Sequence, residues 1–293
     1  MKQFKRALQM ALILPFACSV ADAQTNLAVT PVKAGYLLPM RQDGVIENGN
    51  IPEEVKPWQQ IAAKDVFFKK RVWREIDIRQ KQNMVFQYPG DDETGGGMYI
   101  EILLAAVREG RVQAFADDRF TIPLTNDQLA KKILGEPQTV TIIHPEDGTE
   151  TDSVIYPKFN PTTVTKFRLK EDWIFDANEG RMKVRIIGLA PYQDRYAADG
   201  SFRATAPLFW LYYPELRVIH TQYKVYNGQN DVHRESWDDF FEQRNFSSSI
   251  IRSTLNNPLQ EAIADHKQGV DALYTSEEIA DVLFKKEHDL WGY

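Results

Sequence analysis

Residues 207–258 read PLFWLYYPELRVIHTQYKVYNGQNDVHRESWDDFFEQRNFSSSIIRSTLNNP, and the fold turns on how this stretch is read. Trp237, Phe240 and Phe241 recur at i, i+3 and i+4, the spacing of one helix face, with Asp238, Asp239, Glu242 and Gln243 on the other. Ser247 is placed to cap a second helix carrying Ile250, Ile251 and Leu255, with Pro258 just beyond its end. Aromatic side chains bury large areas, so this region is expected to anchor a core. It holds no recognisable catalytic constellation.

Just upstream, Phe209 to Tyr213 reads as a strand and 214–221 as a short helix. Between Arg111 and Tyr192, β-branched runs bounded by turns predict short strands at 112–116, 139–143, 153–156, 164–169 and 184–189. Asp147-Gly148 and Glu179-Gly180 mark reversals between them. Thr125 to Leu134 predicts a helix ending at Gly135, and Met98 to Arg108 an apolar one. From Asp65, a plausible N-cap, Val66, Trp73 and Ile76 recur at near-helical spacing, so a helix is expected there. Lys69-Lys70-Arg71 reads as a solvated face. The expectation is an α+β fold, with a mixed or antiparallel sheet flanked by helices.

The two ends differ from this core. Residues 24–64 hold Pro31, Pro39, Pro52 and Pro57 with Gly35, Gly44 and Gly49, and show little amphipathic periodicity. A disordered leader and an extended arm that folds onto a neighbouring subunit both fit the sequence; Tyr36, Leu37 and Leu38 favour the arm. After Pro258, Leu259, Ala262 and Ile263 predict a helix ending near Gly269. A last helix is expected from Thr275, with Glu278 completing a capping box and Ile279, Val282 and Leu283 as its stripe. Trp291 and Tyr293 can dock on the protein's own core or on a partner. The organisation is therefore a signal peptide (1–23), an arm (24–64), a core (65–257) and a helical tail (258–293).

Lys2, Lys5 and Arg6 precede an apolar run from Ala7 to Val20, and Ala21-Asp22-Ala23 offers small residues before a cleavage point between Ala23 and Gln24. That run is too short and interrupted to span a bilayer comfortably. The only cysteine, Cys18, lies within it. Lipidation would tether the chain, but Pro15-Phe16-Ala17 lacks the aliphatic residue such a site needs, so loss on cleavage is the better reading. Removing three basic residues and one acid leaves 32 basic against 40 acidic, a net charge of −8. A mixed, mildly acidic surface argues against bulk binding to nucleic acid or anionic lipid.

Chemistry finds little to build on. The histidines, His144, His220, His233, His266 and His288, form no metal-ligand spacing, and neither HExxH nor GxSxG occurs. Gly95-Gly96-Gly97 lacks the Lys-Ser/Thr of a phosphate loop and follows three acids. Asp176 to Gly180 lacks the spacing and closing glutamate of a calcium loop and reads as a hairpin turn. No cofactor and no catalysis are expected. The alternative is an exported module that binds or hydrolyses envelope glycan.

Three blocks carry a family resemblance: DVFFKKRVWREIDIRQKQN (65–83), KEDWIFDANEGRMKVRIIGLAPY (170–192), and FWLYYPELR followed by QNDVHRESWDDFFEQRNFSSSI (209–250). Together and in this order they resemble the GldN family of gliding-motility proteins, also called PorN. The resemblance implies a periplasmic structural subunit of the type IX secretion system. It implies a ring formed by self-association with a GldK/PorK-like outer-membrane lipoprotein, and contact with the periplasmic domain of a GldM/PorM-like motor component. Membrane association would then be indirect, at the inner face of the outer membrane. Intact mass of the exported protein checks the processing: the mature chain is expected to begin at Gln24.

Overall fold

The first strand overturns the helix expected from Asp65. In the computed structural model, Val66–Asp77 is a twelve-residue strand, β1, after a single 3-10 turn at Ala63–Asp65. Val72 and Ile76 point to one face of the sheet and Trp73 to the other, and all three are buried. Burial on both faces hides the period-2 alternation and leaves an apolar spacing that mimics a helix. The structure describes residues 54–91, 94–134, 138–143, 150–155, 159–197, 201–230 and 234–290. The chain divides into two units, 1–51 and 52–293, and all described residues belong to the second.

Tyr99–Arg108 forms helix α1, Ala114–Phe115 strand β2 and Asn126–Leu134 helix α2. Strands β3 (Gln138–Ile143) and β4 (Glu150–Ile155) make a separate two-stranded sheet. Strands β5 (Val164–Asp176) and β6 (Arg181–Tyr196) are far longer than the β-branched runs that announced them. They meet at a hairpin whose Gly180 has φ +66°, where a Cβ would be strained. Then come β7 (Phe202–Pro207), β8 (Trp210–Tyr212), α3 (Tyr213–His220), α4 (Trp237–Glu242), β9 (Ser249–Ser253) and α5 (Val270–Leu290). The main sheet runs β2-β8-β6-β5-β1-β9, with β7 also beside β6, and every described pairing is antiparallel. The fold is α+β. The Asp147-Gly148 reversal and Gly135 lie outside the described residues.

Helix α4 forms as its spacing predicts, with Ser236 as the cap: its Oγ accepts from the Asp239 amide at 3.1 Å. Phe240 and Phe241 close a buried aromatic cluster with Phe86, Tyr99, Phe167 and Trp237. Tyr99 and Trp237 rings lie 4.3 Å apart, and Phe86 meets Tyr99 edge-on at 5.3 Å. Such pairs are worth about 0.5–1.5 kcal/mol each beyond the area they bury. Arg217 on α3 makes a two-pronged bond to Asp238 on α4, both contacts at 2.9 Å and both groups buried. Trp58 packs against the same corner. Its ring stacks on Tyr213 at 6.3 Å, lies 4.9 Å from the Arg217 guanidinium, and donates through Nε1 to Glu242 at 2.9 Å.

The helix expected after Ser247 is instead β9, which pairs with β1. Ile250 packs with Val72 and Leu283, whereas Ile251 packs with Trp73 and Trp210 on the opposite face. Adjacent β-branched residues sent to opposite sides suit a strand, not a helix stripe. Between Leu259 and Gly269 only a 3-10 turn forms, at Ile263–Asp265, with Gln260 just upstream in the left-handed region at φ +55°. Helix α5 starts at Val270 rather than Thr275. Thr275 lies within it, its hydroxyl donating to the Asp271 carbonyl at 2.9 Å. Of the expected stripe, Ile279 and Leu283 pack with Val72 and Ile250, and Ser276 Oγ accepts the Ile250 amide at 2.6 Å, blunting the open edge of β9.

His220 sits fully buried at the centre of the aromatic cluster. Its Nε2 lies 3.0 Å from the Tyr99 hydroxyl, while Nδ1 has no partner among the described residues. Burial, helped by the nearby Arg217 charge, lowers its pKa from 6.5 to about 3. The unfolded chain therefore takes up a proton near pH 6.5 that the folded chain refuses until about pH 3. Stability from this group is complete above pH 6.5 and is lost as pH falls toward 3. Urea titrations should show stability declining below pH 6.5, before the carboxylates protonate, and His220→Gln should flatten that decline.

Candidate functional site

Side chains alternate along β1 and β5, so the face opposite the aromatic core collects Lys69, Arg71, Trp73 and Glu75 with Lys166, Arg168, Lys170 and Asp172. Cross-strand neighbours pair. Asp172 receives Arg71 through Nε at 2.6 Å and Nη2 at 2.9 Å, and Lys69 at 2.9 Å. Glu75 receives Lys166 at 2.5 Å and Arg168 at 2.8 Å. Asp118, from the loop after β2, receives Trp73 Nε1 at 3.0 Å and Arg252 at 3.1 Å, with Lys170 Nζ 3.8 Å away. Lys170 also donates to the Asp118 backbone carbonyl.

Each carboxylate is thus held by two cations, and two of the three lie deeper than both of them. The Asp172 side chain is 4% exposed, against 49% for Lys69 and 37% for Arg71. Burial alone would raise the Asp172 pKa, but the hydrogen bonds from Arg71 and Lys69 outweigh it and hold the carboxyl below its ordinary range. Lys170 moves the other way: burial lowers its pKa, partly offset by Asp118. Six cations over three acids give an otherwise acidic protein a locally basic face.

Aromatic rings floor the same face. Arg252 lies 3.7 Å over the Trp73 ring and Arg168 4.0 Å over Tyr192, so both guanidiniums are oriented by a carboxylate and a ring together. A cavity of about 290 Å³ opens there, lined by Trp73, Asp118, Arg168, Tyr192, Trp210 and Arg252 among others. Phe120 packs against the same cluster of Trp73, Tyr192 and Trp210. It packs edge-on against Phe115 and Tyr212 and sits over Gly188, where a Cβ would meet its ring at 2.6 Å. This arrangement can grip a charged or aromatic group from another molecule. Among the described residues no cluster of His, Cys, Asp and Glu could hold a metal ion.

Tyr36, Leu37, Leu38, Trp291, Tyr293 and the Ala23–Gln24 junction lie outside the described residues. The paired-charge face went unread because its members are spread from position 69 to 252. Its one compact signal, Lys69-Lys70-Arg71, divides between two faces: Lys69 and Arg71 clamp Asp172, while Lys70 reaches the Thr254 carbonyl at 3.5 Å. No helix among the described residues is long and apolar enough to cross a membrane.

Fold and face together define a class: an α+β protein whose described surface carries a preorganised ion-pair array. A family model described as gliding motility associated protein GldN matches residues 61–292. The chain belongs to the GldN family, whose members are components of the gliding and type IX secretion machinery. A search of curated proteins finds no match. The Gly188→Ala variant should push Phe120 off the sheet and cost about 1–3 kcal/mol through overpacking, read from the shift in denaturation midpoint.

Proposed function

We propose that this protein is a non-catalytic periplasmic structural subunit of the type IX secretion system. It forms a ring with a GldK/PorK-like lipoprotein beneath the outer membrane and links that ring to the GldM/PorM-like motor component. Its task is then mechanical: to transmit force through rigid contacts rather than to transform a substrate. The observation that carries this reading is the GldN match across residues 61–292. The long antiparallel sheet supports it physically, because β1, β5 and β6 are joined along most of their length and deform as one body.

The arm 24–64 is the element proposed to reach a neighbour, and Trp58 marks where it leaves the core. Deleting 24–53 spares that contact, so the folded core should keep its unfolding midpoint while envelope assembly is lost. The measurement is the mass of the native complex after gentle envelope extraction through a C-terminal tag. A large assembly containing a GldK-like lipoprotein is expected for the intact chain. A clean monomer from the intact chain would overturn the assembly reading, and full-size complexes from the deletion would remove the arm from it.

A further inference from the structure

Helix α5 has a second apolar stripe that the fold does not use. Its inner side is fixed by Leu283, Ile279 and Ala280 packing with Val72 and Ile250, and by Glu287 accepting the Met182 amide at 3.0 Å. Val270, Leu273, Tyr274 and Phe284 fall at i, i+3, i+4 and i+14, on a side of the helix that Leu283 and Ile279 do not occupy, and are 64%, 54%, 67% and 68% exposed. They span about 21 Å along the axis at about 1.5 Å per residue. Glu277 and Asp281 stand on the same stripe, with Asp271 and Glu278 at its margin beside one exposed cation, Lys285. All four acids are exposed and carry no ion pair among the described residues. Single exposed apolar residues are ordinary, but a stripe of four between unpaired carboxylates marks a contact surface.

The complementary surface lies on the same chain. Helix α5 covers the sheet face to which Val72 points, and the paired-charge face is the one to which Trp73 points, so the two look in opposite directions. One is acidic with apolar knobs. The other carries the six cations of the ion-pair array, their three carboxylates and Asp117 around an aromatic-floored cavity of about 290 Å³.

We infer that the outer stripe of α5 docks on the paired-charge sheet face of a second copy of this chain, with Tyr274 or Phe284 entering the cavity beside Trp73 and Arg252. Different patches on opposite faces make the contact heterologous, so each copy offers a free stripe and a free face to the next, and the contact repeats. Apolar burial at the knobs supplies most of the affinity, and the rim charges set orientation and register. This rests on the assembly reading and names the surfaces through which copies meet.

The test uses the full mature chain. Leu273→Glu with Tyr274→Glu changes only exposed positions, so the unfolding midpoint should hold. Self-association of the purified protein, followed by sedimentation across a concentration series, should weaken by roughly tenfold or more. Glu277→Lys with Glu278→Lys should weaken it as well, and mixing those subunits with a Lys69→Glu variant should recover part of the loss, because only a stripe-to-face contact couples these positions. Unchanged self-association in the Leu273/Tyr274 variant overturns the inference, as does an intact chain that stays monomeric at every concentration. In cells the two readings separate. Full-size envelope complexes from that variant would defeat the stripe while leaving the assembly reading standing, whereas loss of the lipoprotein from the intact chain's complex would defeat the latter.

Discussion

Lys170, Glu171 and Asp172 are consecutive, charged and buried at the middle of β5, with 4%, 0% and 3% exposure. Taking an ion out of water costs several kcal/mol unless a partner restores most of its solvation, so each must be answered by another element. Alternation sends Glu171 to the helical side. There it accepts from Trp173 Nε1 at 3.1 Å and Arg244 Nη2 at 3.3 Å, with its other oxygen 3.0 Å from the same guanidinium. Lys170 and Asp172 go to the other side and find Asp118, Arg71 and Lys69. Three side chains thereby set the register of β1, the position of the loop after β2, and the turn after α4. A one-residue slip of β5 would exchange the faces and leave all three unpaired.

The same constraint produces the candidate contact surface. Because cations outnumber acids two to one and mostly lie further out, the bonds that stabilise the sheet also leave its outer rim positive. The guanidiniums of Arg168 and Arg252 are held against rings before any partner arrives, which lowers the entropy lost on binding. Opposite this, the aromatic cluster fastens α1, α3 and α4 to the sheet, and α5 covers the remaining length through Leu283. The described sheet thus carries helices on one face and paired charges on the other.

How much of this was legible depended on the range of the interactions involved. Helices α1, α2, α3 and α4 could be read because their signals are local: an i, i+3, i+4 stripe, a nearby cap, a following turn. The β5–β6 hairpin could be read from Glu179-Gly180, but not its length, since the charged residues that extend β5 are tolerated only because Arg71 and Arg244 come from elsewhere. Strands β1 and β9 were misread as helices because each carries apolar residues on both faces, which erases the alternation that identifies a half-buried strand. The early start of α5 escaped notice because five residues beyond Gly269 carry no cap signal of their own.

The sequence by itself determined the composition of the core, the α+β character and the family, since aromatic spacing, β-branched runs and ordered blocks are properties of neighbouring residues. Only the tertiary structure decided which charges meet. Lys69, Asp118, Asp172 and Arg252 are strangers along the chain, and pairing between them depends on a sheet register that no local segment contains. The outward stripe of α5 was likewise undecided until the fold chose which side of that helix to bury. An amphipathic pattern names the residues that avoid water, and packing alone settles which of them find cover.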